Sequence, residues 1–134
     1  MKLGIVGTGM IVKEFLPELV KMEELEILSI MGSPTGFSKA QALSEKYEIP
    51  MAAHDMDELC AAGIDTVYVA VPNNLHFMYC KKALEKGMNV IVEKPMTDNA
   101  GEAESLAVLA RKKKLFLFEA VTTIYMPGYQ KIRE

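Results

Sequence analysis

Leu3-Gly4-Ile5-Val6-Gly7-Thr8-Gly9-Met10-Ile11-Val12 decides the fold of this chain. A short apolar run over residues 3–6 is stopped by Gly7. Beyond it, Ile11, Phe15 and Leu19, with Val12, Leu16 and Val20 beside them, recur at helical spacing over 10–22. A strand that breaks at glycines and opens a helix is the context a dinucleotide fingerprint requires. Gly7 permits the tight turn, Gly9 lets the backbone approach a pyrophosphate, and the first N–H groups of the helix are free to bind the anion. The third fingerprint position is Val12 rather than Gly or Ala, which predicts a helix pushed away from the strand. Pro17 lies inside the helical pattern and predicts a kink or a late helix start.

Outward from this stretch, strand-like and helix-like segments alternate. Strands are expected over 25–31, briefly over 51–53, and over 66–71, 88–92 and 115–118. The run at 66–71 is continuously β-rich, as in a strand buried on both faces. Helices are expected over 38–47, from a cap at Asp55 to 62, over 74–86, and from a cap at Thr97 or Asp98 to 114, with Gly63 and Gly87 as stops. Residues 126–134 read as the opening of another helix. Strands separated by helices of this length imply parallel βαβ units with right-handed crossovers. The fold class is therefore α/β: a Rossmann-type doubly wound, mainly parallel sheet with helices on both faces.

The 134 residues suffice for one domain. A formal net charge of −3 argues against a general nucleic-acid binder, which needs a basic face. The dense basic run Arg111-Lys112-Lys113-Lys114 reads as cations at a helix C-terminus. The two cysteines, Cys60 and Cys80, are far apart and not in a CxxC pattern. They predict no disulfide framework and no metal site, and fit a reducing cytoplasm. No run approaches the ~18 apolar residues of a membrane span, so a soluble, cytoplasmic protein without membrane or nucleic-acid partners is expected.

Ligands of such a sheet bind at the carboxyl ends of the strands, where the order reverses. Gly7, Thr8, Gly9, Met10 and Ile11 form the candidate phosphate turn. The acid that would hold the ribose hydroxyls of NAD about 20 positions later is absent: Met31-Gly32-Ser33-Pro34 stands there, and Glu26 is at the wrong end of its strand. Ser33, Thr35, Ser38 or Lys39 can bond a 2′-phosphate, so of NAD and NADP the balance tips to NADP. Pro72 ends the 66–71 strand, and Asn73 either presents its amide to the cofactor or caps the next helix. His76, one turn on, either reaches into the crevice or is structural. Glu93-Lys94-Pro95 follows the apolar run Val90-Ile91-Val92, and Glu93, Lys94 and Glu119 are expected among the cofactor-binding residues on this edge. Lys94 beside a substrate hydroxyl would stabilise a developing alkoxide or relay a proton; paired with Glu93, it would be a surface ion pair. Glu119 is a third charged tip, near the nicotinamide or as a structural acceptor.

These residues resemble the N-terminal domain of the glucose-fructose oxidoreductase / inositol dehydrogenase / MocA family of NAD(P)-dependent oxidoreductases. The likeness runs from GIVGTGMI through VPNNLH and GMNVIVEKPMT to FEA, and the EKP after a strand is its most specific element. It implies that Lys94 lies at the active site and that Pro72, Asn73 and His76 line its nicotinamide side, with Lys94 and His76 as catalytic candidates. It also implies hydride transfer between a nicotinamide cofactor and a sugar, cyclitol or similar substrate. Family members carry a second α/β domain that binds substrate and often forms a dimer interface. Residues 1–120 are accordingly expected to be the dinucleotide-binding domain, with 121–134 beginning the connection to an absent second domain. The isolated chain should bind cofactor weakly and turn over nothing. The alternative is a non-enzymatic dinucleotide sensor or regulatory module, which needs the glycine turn but not Lys94.

Overall fold

The computed structural model of the chain describes residues 1–133. Six parallel strands form one sheet in the order β3-β2-β1-β4-β5-β6. They are β1 (Lys2–Val6), β2 (Glu26–Met31), β3 (Met51–Ala53), β4 (Thr66–Val69), β5 (Asn89–Glu93) and β6 (Leu117–Ala120). Between them run α1 (Met10–Leu19), α2 (Phe37–Tyr47), α3 (Met56–Ala61), α4 (His76–Glu85) and α5 (Ala100–Lys113); α6 (Pro127–Arg133) follows β6. The order reverses between β1 and β4, so the segments that leave those two strands diverge to either side and open a crevice between them.

Two apolar clusters sandwich the sheet. On one face Val6, Val67, Val69, Val90 and Val92 pack against α3, α4 and α5 through Leu59, Cys80, Leu84 and Leu106. On the other, Leu3, Ile5, Ile30 and Tyr68 meet Val12 and Leu16 of α1 and Ala40 and Leu43 of α2. Val12 is 1% exposed and belongs to this second cluster, so the larger side chain at the third fingerprint position is absorbed into the core. Towards β5 and β6 this second face carries an apolar groove of about 220 Å³, lined by Leu3, Phe15, Leu19, Tyr68 and Ile91 among others. Phe118 of β6 is exposed beside it.

Several boundaries differ from expectation. Helix α1 starts at Met10 and runs through Pro17, so the late start is not seen. Asn99, not Thr97 or Asp98, caps α5: its side chain accepts from the Glu102 N–H, satisfying one of the free donors of the first turn. Lys114 then ends α5 in the left-handed region at φ 57°, and β6 begins two residues later than expected. The basic run does fall in the last turn of α5. Residues 127–133 are helical, and Glu134 lies outside the described residues. Among the described residues no helix is long and apolar enough to cross a membrane, and no three His, Cys, Asp or Glu side chains cluster to hold a metal ion.

Candidate functional site

The crevice at the β1–β4 divergence has a volume of about 400 Å³. Its floor is the glycine turn. Gly7 adopts φ +133°, a conformation that side chains disfavour, and the N–H of Gly7 donates to the Met31 carbonyl at 2.8 Å. The helix α1 opens directly after Gly9, which supplies no side-chain cap. The first N–H groups of α1 therefore face the crevice without intrahelical partners, and they form an anion site with the helix dipole behind them.

A Cβ added at Gly9 would meet no atom of the chain within 4 Å, so internal packing does not demand glycine there. The open space lies where a pyrophosphate would approach the turn, and the crevice thus fits a dinucleotide. Alanine is compatible with the backbone of Gly9, at φ −75° and ψ −171°. Lower unfolded-state entropy and a poorer N-cap oppose each other, so Gly9→Ala should keep stability within ~1 kcal/mol. It is expected to weaken dinucleotide binding about tenfold or more, worth ~1.4 kcal/mol. A thermal melt beside a fluorescence titration checks both halves.

Of the residues expected at the site, Gly7, Thr8, Gly9, Ile11, Ser33 and Pro72 line this crevice together. Met10 is 84% exposed and is not one of the crevice walls. Asn73 opens an exposed 3-10 turn, Asn73–Leu75, and its side chain caps neither that turn nor α4. Glu93 is turned onto the α1 face of the sheet, because strand alternation sends it the same way as Ile91. There it accepts a 2.6 Å hydrogen bond from the Tyr68 hydroxyl. Burial, and then the Glu93 carboxylate, push the Tyr68 phenol above its ordinary range, so it stays protonated as the donor. Glu93 borders the apolar groove, not the dinucleotide crevice.

Lys94 is exposed at the tip of β5, next to the β4 tip that walls the crevice. The expected alternative, an ion pair with Glu93, is not formed, and among the described residues Lys94 has no salt-bridge partner. His76 is fully buried. Its Nδ1 lies 2.7 Å from the Pro95 carbonyl and its Nε2 2.9 Å from the Val71 carbonyl. Glu119 accepts from the Met96 N–H at 2.8 Å. Burial raises both cysteine thiols, Cys80 to about 12, so neither supplies a thiolate at neutral pH.

The sequence reading missed Gly32, Pro34, Ala70, Val71, Leu75 and Tyr79 as crevice walls. Tyr79 is 8% exposed and belongs to the α4 core, so its spacing marked it only as a packing residue. Lys39, noted as a phosphate partner, also lines the crevice.

The model of an oxidoreductase family with an NAD-binding Rossmann fold (GFO/IDH/MocA) matches residues 1–121. The chain belongs to the GFO/IDH/MocA oxidoreductase family. Within it, the chain is 34% identical over 145 residues to a D-xylose 1-dehydrogenase (NADP(+)) of Hypocrea jecorina, covering 100% of this chain and 37% of that protein. It is 26% identical to a scyllo-inositol 2-dehydrogenase (NADP(+)) of Bacillus subtilis, covering 100% and 40%. Its fold matches that of KijD10, a 3-ketoreductase from Actinomadura kijaniata solved with NADP and TDP-benzene, at a TM-score of 0.90 and 26% identity. That match covers 98% of this chain and 40% of KijD10. The chain thus spans about two fifths of the length of these GFO/IDH/MocA relatives. It is the nicotinamide-dinucleotide-binding Rossmann domain of that family.

Proposed function

We propose that this chain is the cofactor half of an oxidoreductase acting on a sugar, cyclitol or similar hydroxyl or carbonyl substrate, with Lys94 at the reacting centre. The observation that carries this reading is an exposed lysine without an ion-pair partner among the described residues, at the strand tip beside a dinucleotide crevice. When bound, the dinucleotide supplies or takes up the hydride. The chain's own residues do the rest. The N–H groups after Gly9 hold the pyrophosphate, and Pro72 and Asn73 border the nicotinamide side. The Lys94 ammonium hydrogen-bonds the substrate oxygen and stabilises the charge that develops on it.

Residues 1–120 form the cofactor domain in this reading, and those after 120 lead to a second, substrate-binding domain that also carries any homo-oligomer contact. Its support is the two-fifths coverage of the relatives and the apolar groove beside β5 and β6. The free cysteines support a cytoplasmic location, and the acidic balance supports a partner list without nucleic acid. Titration of NADPH and NADH, followed by nicotinamide fluorescence, tests the core of the proposal. A saturable change is expected; none with either cofactor would sink it.

NADP is the preferred cofactor. The β2 end of the crevice is lined by Gly32, Ser33, Pro34 and Lys39 and offers no carboxylate. A 2′-phosphate there would gain a charge-assisted contact from Lys39. Lys39→Glu replaces attraction with repulsion, so NADPH affinity should fall about tenfold or more, equivalent to ~1.4 kcal/mol. NADH affinity should hold within about threefold, since NADH carries no 2′-phosphate for Lys39 to contact. Paired titrations of the two cofactors read the ratio directly.

A further inference from the structure

The peptide that joins Pro95 to Met96 is gripped at both of its polar atoms. Its carbonyl oxygen lies 2.7 Å from His76 Nδ1, and its N–H donates to Glu119 Oε1 at 2.8 Å. His76 stands at the start of α4 and reaches back with Nε2 to the Val71 carbonyl at the exit of β4, while Glu119 projects from β6. One peptide at the exit of β5 is thus tied to the strands on both sides. On the other flank of Lys94, the Glu93 carboxylate is held by Tyr68 of β4. Both chain neighbours of Lys94 are fixed, and its own side chain is exposed.

We propose that His76 and Glu119 are positioning residues that clamp the Pro95–Met96 peptide and so aim Lys94 at the substrate end of the crevice. This rests on the reading of Lys94 given above. It replaces the catalytic role that the sequence suggested for His76. The ring is fully buried, and both of its nitrogens face carbonyl oxygens, which only accept hydrogen bonds; a neutral ring donates to one of them, and the clamp is the tautomer with its proton on Nδ1, facing Pro95. No ring nitrogen is left for a substrate. Glu119 likewise spends Oε1 on a backbone donor rather than on the crevice, whose walls it does not join.

The choice of chemistry follows from what the clamp must do. A peptide held at its oxygen alone can still swivel about that bond, whereas holding the N–H as well fixes its plane. The orientation of a catalytic ammonium depends on that plane, since Lys94 is separated from it only by Pro95. Displacement of ~1 Å at a reacting group costs up to about 100-fold in rate.

The test uses the complete protein, with Glu119 as the safer handle because it is half-buried whereas His76 lies in the core. Glu119→Ala removes the acceptor for the Met96 N–H; Glu119→Gln keeps an acceptor oxygen and removes the charge. Glu119→Ala is expected to lower kcat about 10- to 100-fold, with KM and dinucleotide Kd little changed. Glu119→Gln should recover kcat to within about threefold, as a carbonyl oxygen also accepts. Hydrogen–deuterium exchange at the Met96 amide should speed up in Glu119→Ala and not in Glu119→Gln. In a Lys94→Met background, Glu119→Ala should cost no further kcat, because a residue acting through another is non-additive with it. His76→Gln, whose amide N–H can still serve the Pro95 carbonyl, should outperform His76→Ala in the same assay.

Additive losses in the double variant would overturn the clamp while leaving the reading of Lys94 intact. So would a Glu119→Gln enzyme as poor as Glu119→Ala, since the charge itself would then be in use. Unchanged kcat in Lys94→Met alone would overturn the reading of Lys94 instead.

Discussion

Gly7→Ala is expected to cost at least about 3 kcal/mol of stability and, with it, all dinucleotide binding. A Cβ at this position would lie 2.1 Å from the Ala70 carbonyl oxygen and 2.8 Å from its carbon. Both are backbone atoms, so no rotamer change relieves the clash. The φ of +133° adds strain that any L side chain would carry. Neither partner is free to retreat. Gly7 N–H is bonded to the Met31 carbonyl, and Ala70 N–H to the Val6 carbonyl, each at 2.8 Å. Relief therefore requires β1 and β4 to part at their tips, which is where the crevice lies. The denaturant midpoint of Gly7→Ala against the parent checks this, and an unchanged midpoint would show that the turn relaxes without strand separation. Gly9→Ala, two residues along, is the internal control. The same substitution meets empty space there and should spare the fold while weakening binding.

How far the sequence carried the site depended on whether a residue's role was local or set by neighbouring strands. The glycine turn, the strand tips and the parallel βαβ order were legible because each rests on spacing within one segment. The destination of Glu93 was not. Its direction follows from alternation along β5, but its partner follows from the register that sets Tyr68 against Ile91, and Tyr68 lay inside an otherwise apolar run. His76 looked like a crevice residue for the same reason: the Pro95 carbonyl that holds it is 19 residues away. The cap of α5 was the opposite case. Asn99-Ala100-Gly101-Glu102 carries a capping residue with Glu three positions later, a local signal that outweighs Thr97 and Asp98. Val12, a branched side chain where glycine or alanine is usual, packs into the core with Leu3, Ile5 and Leu16.

Lys94→Met is expected to lower kcat of the complete protein by about 100- to 10,000-fold, the range of a lost acid–base or charge-stabilising group, and to leave the dinucleotide Kd within about twofold, since a residue that touches only the substrate contributes little to cofactor binding. Methionine keeps most of the apolar stem and removes only the ammonium. Lys94 forms no wall of the crevice and has no ion-pair partner among the described residues, so no structural contact is lost with the charge. A sensor that merely reads dinucleotide levels would be indifferent to the change, and that outcome would remove Lys94 from the chemistry. Lys94→Arg then separates two modes of action. Guanidinium keeps the positive charge but does not give up its proton in proteins. If Lys94 only stabilises negative charge on the substrate oxygen, arginine should restore a substantial part of the lost rate. If Lys94 passes a proton during turnover, arginine should be nearly as poor as methionine, and the pH–rate profile of the parent should lose a limb in both variants. The neighbours of Lys94 are held on both sides by Tyr68, His76 and Glu119, so both substitutions are read against the same fixed backbone.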